Sequence, residues 1–115
     1  MSEYERRVSW LKAALKDFQD FPRGAQIDIA TALTEAARGR KADTAKPFKG
    51  AGSGVFEIAM RHRGDAFRAI YAVQIGEDIW VIDAFQKKSK SGIKTPQMDV
   101  DRIKERLKRL KEMLR

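Results

Sequence analysis

The chain has 115 residues, 43% of them apolar, and 24 Lys/Arg against 16 Asp/Glu give a net charge of +8. That length suits one compact domain spanning residues 1–115, and the longest apolar runs are far too short to cross a bilayer. The absence of cysteine and the single histidine exclude disulfides, thiolate metal sites and any His-based metal cluster or paired-His catalyst, so no metal or cofactor is expected.

The N-terminus, Met-Ser-Glu-Tyr-Glu, lacks the basic-then-apolar order of a signal peptide, which together with the missing cysteines fits the cytoplasm. Trp10, Leu11, Ala14, Leu15 and Phe18 recur at three- and four-residue spacing and predict a first helix, with a short edge strand before Trp10. Pro22 opens a second helix, carried by Ile27, Ala30, Leu33 and Ala37 to Gly39, a natural C-cap. Residues 40–54, punctuated by glycine and proline, read as one long loop. Three strands follow. Over 55–61, Phe56, Ile58 and Met60 alternate with Glu57, Ala59 and Arg61. Over 67–75, Phe67, Ala69, Tyr71, Val73 and Ile75 oppose Arg68, Ile70, Ala72 and Gln74, and Gly64-Asp65 between the two strands reads as a two-residue hairpin turn. The third strand covers 79–85. A C-terminal helix begins with Thr95 as its cap, Pro96 at its first position and Asp99 and Asp101 near its start. Its stripe of Val100, Ile103, Leu107, Leu110 and Leu114 predicts docking on the sheet, with Arg102, Lys104, Arg106, Lys108, Arg109 and Lys111 around it.

Charge is uneven along this order. Residues 85–115 hold 11 Lys/Arg against 4 Asp/Glu, so +7 of the net +8 lies at the C-terminal end. Such a concentration is either the footprint of a polyanion or a solvated helix face beside a loose loop.

A turn at Gly64-Asp65 sets Arg61 opposite Arg68, a repulsive pair unless an anion sits between the two guanidinium forks, both arms splay into solvent, or one of them pairs with Glu57. Asp83 is not expected under a helix, so Ile79, Val81, Asp83, Phe85 and Lys87 are placed on the face of Arg68. The outcome is a cationic shelf of Arg61, Arg68 and Lys87, with Glu57 as its carboxylate and Phe85 as a stacking surface for a base. Lys88, Lys90 and Lys94 rim it, and Arg63 at the turn and Lys49 in the loop add RNA contacts. These groups suffice for metal-independent RNA cleavage by transesterification from the 2′-hydroxyl. Glu57 is the candidate base, Arg61 and Arg68 the candidate phosphate clamps, and Lys87 or Lys88 the acid or a further clamp, with the identity of base and acid left open. Clustered arginines keep Glu57 ionised and can lower a lysine pKa. His62 has the opposite parity, toward the core, and its role stays open.

The order of elements, Val-Phe-Glu-Ile-Ala-Met-Arg-His-Arg-Gly-Asp-Ala-Phe-Arg-Ala-Ile-Tyr over 55–71 and Asp-Ala-Phe-Gln-Lys-Lys-Ser-Lys-Ser-Gly-Ile-Lys-Thr-Pro over 83–96 resemble the RelE/ParE toxin superfamily, most closely its HigB-like, phage-derived branch. The resemblance implies an α+β fold like that of small microbial ribonucleases: an antiparallel sheet, two N-terminal helices and a C-terminal amphipathic helix. It implies the toxin of a type II toxin–antitoxin pair, a ribosome-dependent mRNA endoribonuclease that inhibits translation, neutralised by a helix-turn-helix antitoxin of HigA/XRE type. Arg68 falls where the family has its strand arginine, and Lys87 and Lys88 where a basic residue follows the last strand. The chain departs from the RelE type in carrying Glu57 and Ala59 where lysines stand on that strand, and no tyrosine follows Lys88. Two other readings compete: a ParE-like inhibitor of DNA gyrase without hydrolytic activity, and a nucleic-acid-binding module with no chemistry.

Overall fold

The computed structural model describes residues 5–87 and 95–114. Five strands form one sheet in the order β1-β5-β4-β3-β2, namely β1 (Val8–Trp10), β2 (Ala45–Pro47), β3 (Val55–His62), β4 (Asp65–Ala72) and β5 (Ile79–Lys87). Helices α1 (Lys12–Gln19) and α2 (Arg23–Ala37) cover one face and α3 (Gln97–Met113) the other. All strand pairs are antiparallel except β1 with β5. The expected α+β architecture is therefore the observed one, and the expected short edge strand is its parallel edge, though it takes in Trp10, which the spacing assigned to the first helix.

Alternation along β3 and β4 decides which side chains meet which helices. Phe56, Ile58, Met60, Phe67, Ala69 and Tyr71 pack with Ala14, Phe18, Ala25, Ile29 and Leu33 of α1 and α2. Val55, Ile70 and Ala72 turn the other way and pack under Ile103, Leu107 and Leu110 of α3. The α3 stripe docks on the sheet as its spacing requires, with only Leu114, at its end, left exposed.

Several details differ from the sequence reading. The second helix buries Ala25, Ile29, Ala32, Leu33, Ala36 and Ala37, and Ile27 is 55% exposed. Its sequence, Ile-Asp-Ile-Ala-Thr-Ala-Leu, offers two apolar phases a couple of residues apart, and packing selects the alanine-rich one that lets the helix sit close to the sheet. Pro22 and Pro96 take the N-cap positions of α2 and α3 rather than the first helical turn. Thr95 caps nothing; its hydroxyl donates instead to Glu57 Oε2 at 3.2 Å. The predicted loop over 40–54 contains β2, a three-residue edge strand whose Pro47 costs the ladder nothing at the sheet margin.

The largest difference lies in β5. Tyr71 pairs with Val81 but Ile70 pairs with Asp83, so a bulge at Ile82 flips the alternation there. Ile79 and Val81 join the α1/α2 core, not the face of Arg68, whereas Ile82 and Asp83 both point toward α3. Asp83 does sit beneath a helix, 1% exposed, because α3 brings it two partners. Arg102 Nε donates to Oδ2 at 2.8 Å and Arg106 Nη1 to Oδ1 at 2.9 Å, and the Ala84 N–H adds a third bond at 2.9 Å. Burial pushes the Asp83 carboxyl above its ordinary pKa, and Arg102 foremost pulls it back.

Replacing Arg102 and Arg106 together with Met leaves this carboxylate without a counter-charge and should cost about 3–5 kcal/mol in urea unfolding at neutral pH. The folded-state pKa of Asp83 then rises further above its unfolded value. The penalty is therefore complete above the folded pKa and vanishes as pH falls below the unfolded one. A stability loss that grows on acidification would contradict this account.

Candidate active site

The β3–β4 turn falls at Arg63-Gly64, one residue earlier than Gly64-Asp65, and both residues have positive φ, 52° and 88°. This is the pattern of a type I′ turn, which places glycine second, as Asn-Gly does. The shift moves pairing by two residues, so Arg61 faces Ala66 and Arg68 faces Ala59, correcting the expected Arg61–Arg68 opposition. Parity is unchanged, so both arginines keep to the α3 side of the sheet, one diagonal step apart.

Three rows cross the sheet on that side. The first holds Arg61, Ala66 and Lys87; the second Ala59, Arg68 and Phe85; the third Lys46, Glu57, Ile70 and Asp83. Arg61 and Lys87 thus lie two strands apart, about 10 Å between backbones. Ala59 and Ala66 are too small to fill the space beside Arg68, and its guanidinium reaches diagonally to Glu57, where Nη1 donates to Oε2.

The cluster is not the open shelf that the sequence suggested. Glu57 is 3% exposed, Arg68 7% and Lys87 8%. Burial follows from pairing: Arg68 and Thr95 both donate to Glu57 Oε2, and Lys46 Nζ stands 3.9 Å from Oε1. Burial lowers the pKa of Lys87, Arg68 lowers it further, and the Glu57 carboxylate opposes the shift. Arg68 Nε is buried with no acceptor among the described residues.

Solvent reaches Glu57 through a groove of about 510 Å³ lined by Lys46, Pro47, Phe48, Lys49, Glu57, Thr95 and Val100. Lys49 is exposed on its rim, as an RNA contact requires. Arg61 and Arg63 are exposed at the hairpin end. Phe85 faces Arg68 across the strands, but the Arg102 guanidinium lies 5.5 Å over its ring, so one face is already taken. His62 is half-buried on the opposite face, so close to Gly24 that a side chain there would collide with its ring. Lys88, Lys90 and Lys94 lie outside the described residues. Lys46 and Thr95 belong to the cluster; the sequence singles out Thr95 only as a helix cap and Lys46 not at all. For Lys46, the missing signal was β2, which pairs it with Glu57.

Residues 16–108 match the family described as phage derived protein Gp49-like. A mutant of the E. coli toxin RelE in the free state superposes with a TM-score of 0.63 at 17% identity, over 91% of this chain and 97% of that one. A chain of the toxin–antitoxin complex RelBE2 from Mycobacterium tuberculosis does so with a TM-score of 0.50 at 13% identity, over 76% and 98%. Among curated proteins no match was found.

Because Glu57 is the neighbour that holds the Lys87 pKa up, Glu57→Gln should lower it further. An NMR titration of the Lys87 ammonium in both forms reads this directly. An equal or higher value in the variant would show that the two groups do not share an electrostatic environment.

Proposed function

The chain belongs to the phage-derived Gp49-like family and has the fold of the RelE toxins, and from that premise we propose that it is the toxin of a type II toxin–antitoxin pair, cleaving mRNA on the ribosome. An antitoxin of helix-turn-helix type is the partner that this reading requires. The observation that carries the chemistry is the grouping of Glu57, Arg68 and Lys87 on one face of the sheet, at the end of a groove edged by Lys46 and Lys49.

In this reading the RNA backbone enters that groove. Glu57 takes the proton of a 2′-hydroxyl, and the freed oxygen attacks the adjacent phosphorus. The bond to the 5′-oxygen breaks, and Lys87 supplies the proton that this leaving group needs. A lowered lysine pKa suits a proton donor working near neutrality. Arg68 orients Glu57, and its Nε, which has no acceptor among the described residues, offers a phosphate oxygen a donor whose isolation otherwise costs about 1–3 kcal/mol. Arg61, Arg63 and Lys49 contact the strand at the surface, and Lys88, Lys90 and Lys94 complete the basic rim. No pairing of Arg61 with Arg68 is needed: one buried guanidinium acts on the reacting group and the exposed one on the strand outside.

Inducing the chain should arrest growth, with new mRNA ends in translating ribosomes and normal gyrase supercoiling. Arrest with inhibited gyrase and intact mRNA would instead assign the gyrase-directed activity. Glu57→Gln should slow cleavage by about 10²–10⁴ while RNA affinity changes far less, and equal cleavage removes Glu57 as the base. Lys87→Met should slow cleavage of ordinary RNA but spare a substrate with a bridging 5′-sulfur, whose thiolate leaves without a proton. Equal losses on both substrates would show that Lys87 is not the acid.

A further inference from the structure

The C-terminal helix divides its cations into two sets. Arg102 pairs with Asp83 and Asp99, Arg106 with Asp83, and Arg109 with Glu105. The lysines 104, 108 and 111 are exposed and make no ion pair among the described residues. Their spacing of four and three residues sets them in one line along the helix. Arg102 and Arg106 turned to the sheet and lysines left to solvent are what a helix needs if its outer face meets phosphate charge rather than its own protein.

The loop over residues 48–54 runs beside this line. Gly50 lies against α3, where an added Cβ would meet Val100 Cγ1 at 3.6 Å. Beyond it, Ala51 with Lys104, Leu107, Lys108 and Lys111 borders a hollow of about 360 Å³. A second hollow, about 320 Å³, shares Leu107 and Lys111 and is closed by residues 52–54. At Gly52 a Cβ would meet nothing, so the loop presents bare backbone there. The two hollows form a trough along the helix from Lys104 to Lys111, about 10 Å at the helical rise, and the Glu57 groove ends at Val100, one turn before Lys104. Lys46 and Lys49 line the groove and Lys104, Lys108 and Lys111 the hollows, and among the described residues that line them the only carboxylates are Glu57 and, at the far end, Glu112.

Resting on the RNA-cleaving reading, we infer that this trough is a track for the RNA strand. It binds the phosphates of nucleotides flanking the scissile bond and reads no base. Its floor is apolar where Leu107 and Ala51 lie, and the lysines stand on the helix side as point charges on flexible stems. Such contacts add affinity that depends on salt and hardly on sequence.

The test uses two fluorescent single-stranded RNAs with 2′-O-methyl groups, which bind but cannot be cleaved: a tetramer that fills the groove at Glu57 and a dodecamer that extends along α3. The triple variant Lys104→Gln, Lys108→Gln, Lys111→Gln should bind the tetramer like the unaltered protein. For the dodecamer it should lose affinity, and the slope of log K against log salt should flatten by about 2, from three contacts at roughly 0.7 each. A charge-matched control, Lys12→Gln, Lys16→Gln, Arg23→Gln, on the opposite side of the sheet should leave the dodecamer slope in place. An unchanged slope in the α3 variant, while the unaltered protein binds and cleaves RNA, overturns the track alone. Equal slope losses in variant and control also overturn it, by reducing the effect to net charge. If the unaltered protein neither binds the dodecamer nor cleaves RNA, the track and the endonuclease reading fall together.

Discussion

Where α3 sits depends on one buried carboxylate. An apolar stripe such as Ile103, Leu107 and Leu110 repeats from turn to turn, so by itself it tolerates a helix displaced along its groove. Asp83 between Arg102 and Arg106 does not, because both guanidiniums must meet the same side chain. The bulge at Ile82 creates this arrangement, since without it Asp83 would point toward α1 and α2. Replacing such a triad with apolar residues can leave a fold as stable; what it contributes here is position. Fixed in this way, α3 leaves Glu57 and Arg68 beside its first turn rather than under its middle, and Thr95, two residues before the helix, reaches Glu57.

A second buried pair, Glu57 with Arg68, follows the same physics to a different end. Both pairs join a carboxylate on the sheet to a guanidinium, the cation that tolerates desolvation best and forks onto carboxylate oxygens. Asp83 is fully engaged by the protein, with three donors on two oxygens. The second site keeps capacity in reserve: Arg68 Nε has no acceptor among the described residues, and Glu57 Oε1 has only Lys46, at 3.9 Å. One pair is closed and structural. The other is poised toward a groove.

How much of this could be read from residues alone follows from what each signal can encode. Alternation of Phe56, Ile58 and Met60 against Glu57 and Arg61 assigns faces, because burial of one side leaves a period of two. It is blind to a register shift of two residues, and that is the size of the error at the Arg63-Gly64 turn. The β5 bulge breaks the period at a single residue, which no alternation rule anticipates, so Asp83 was placed on the correct face for a wrong reason and Val81 on the wrong face. β2 is too short and too rich in turn residues to stand out, and with it went the neighbour of Glu57, Lys46. The burial of Arg68 and Lys87 was equally hidden: whether a charged strand residue is solvated depends on a partner that only the register supplies. The overall fold was legible because the order of elements and two motif stretches carried it together.

The contrast between buried and exposed cations bears on how such a protein would handle a polyanion. A charge at the surface interacts weakly, is screened by salt and costs little to maintain, so many are needed and none is critical. A charge in a dry cluster acts strongly over a short range, and each one must be paired or have its pKa shifted. This chain separates the two kinds in space. Lys49, Lys104, Lys108 and Lys111 lie outside, where they add attraction without demanding partners, while Arg68 and Lys87 lie inside, near the Glu57 carboxylate. Strand capture and bond cleavage, in the proposed reading, then draw on different residues. Removing outer lysines should weaken the hold on RNA without altering the reaction, whereas changing an inner group alters the reaction before it alters the hold.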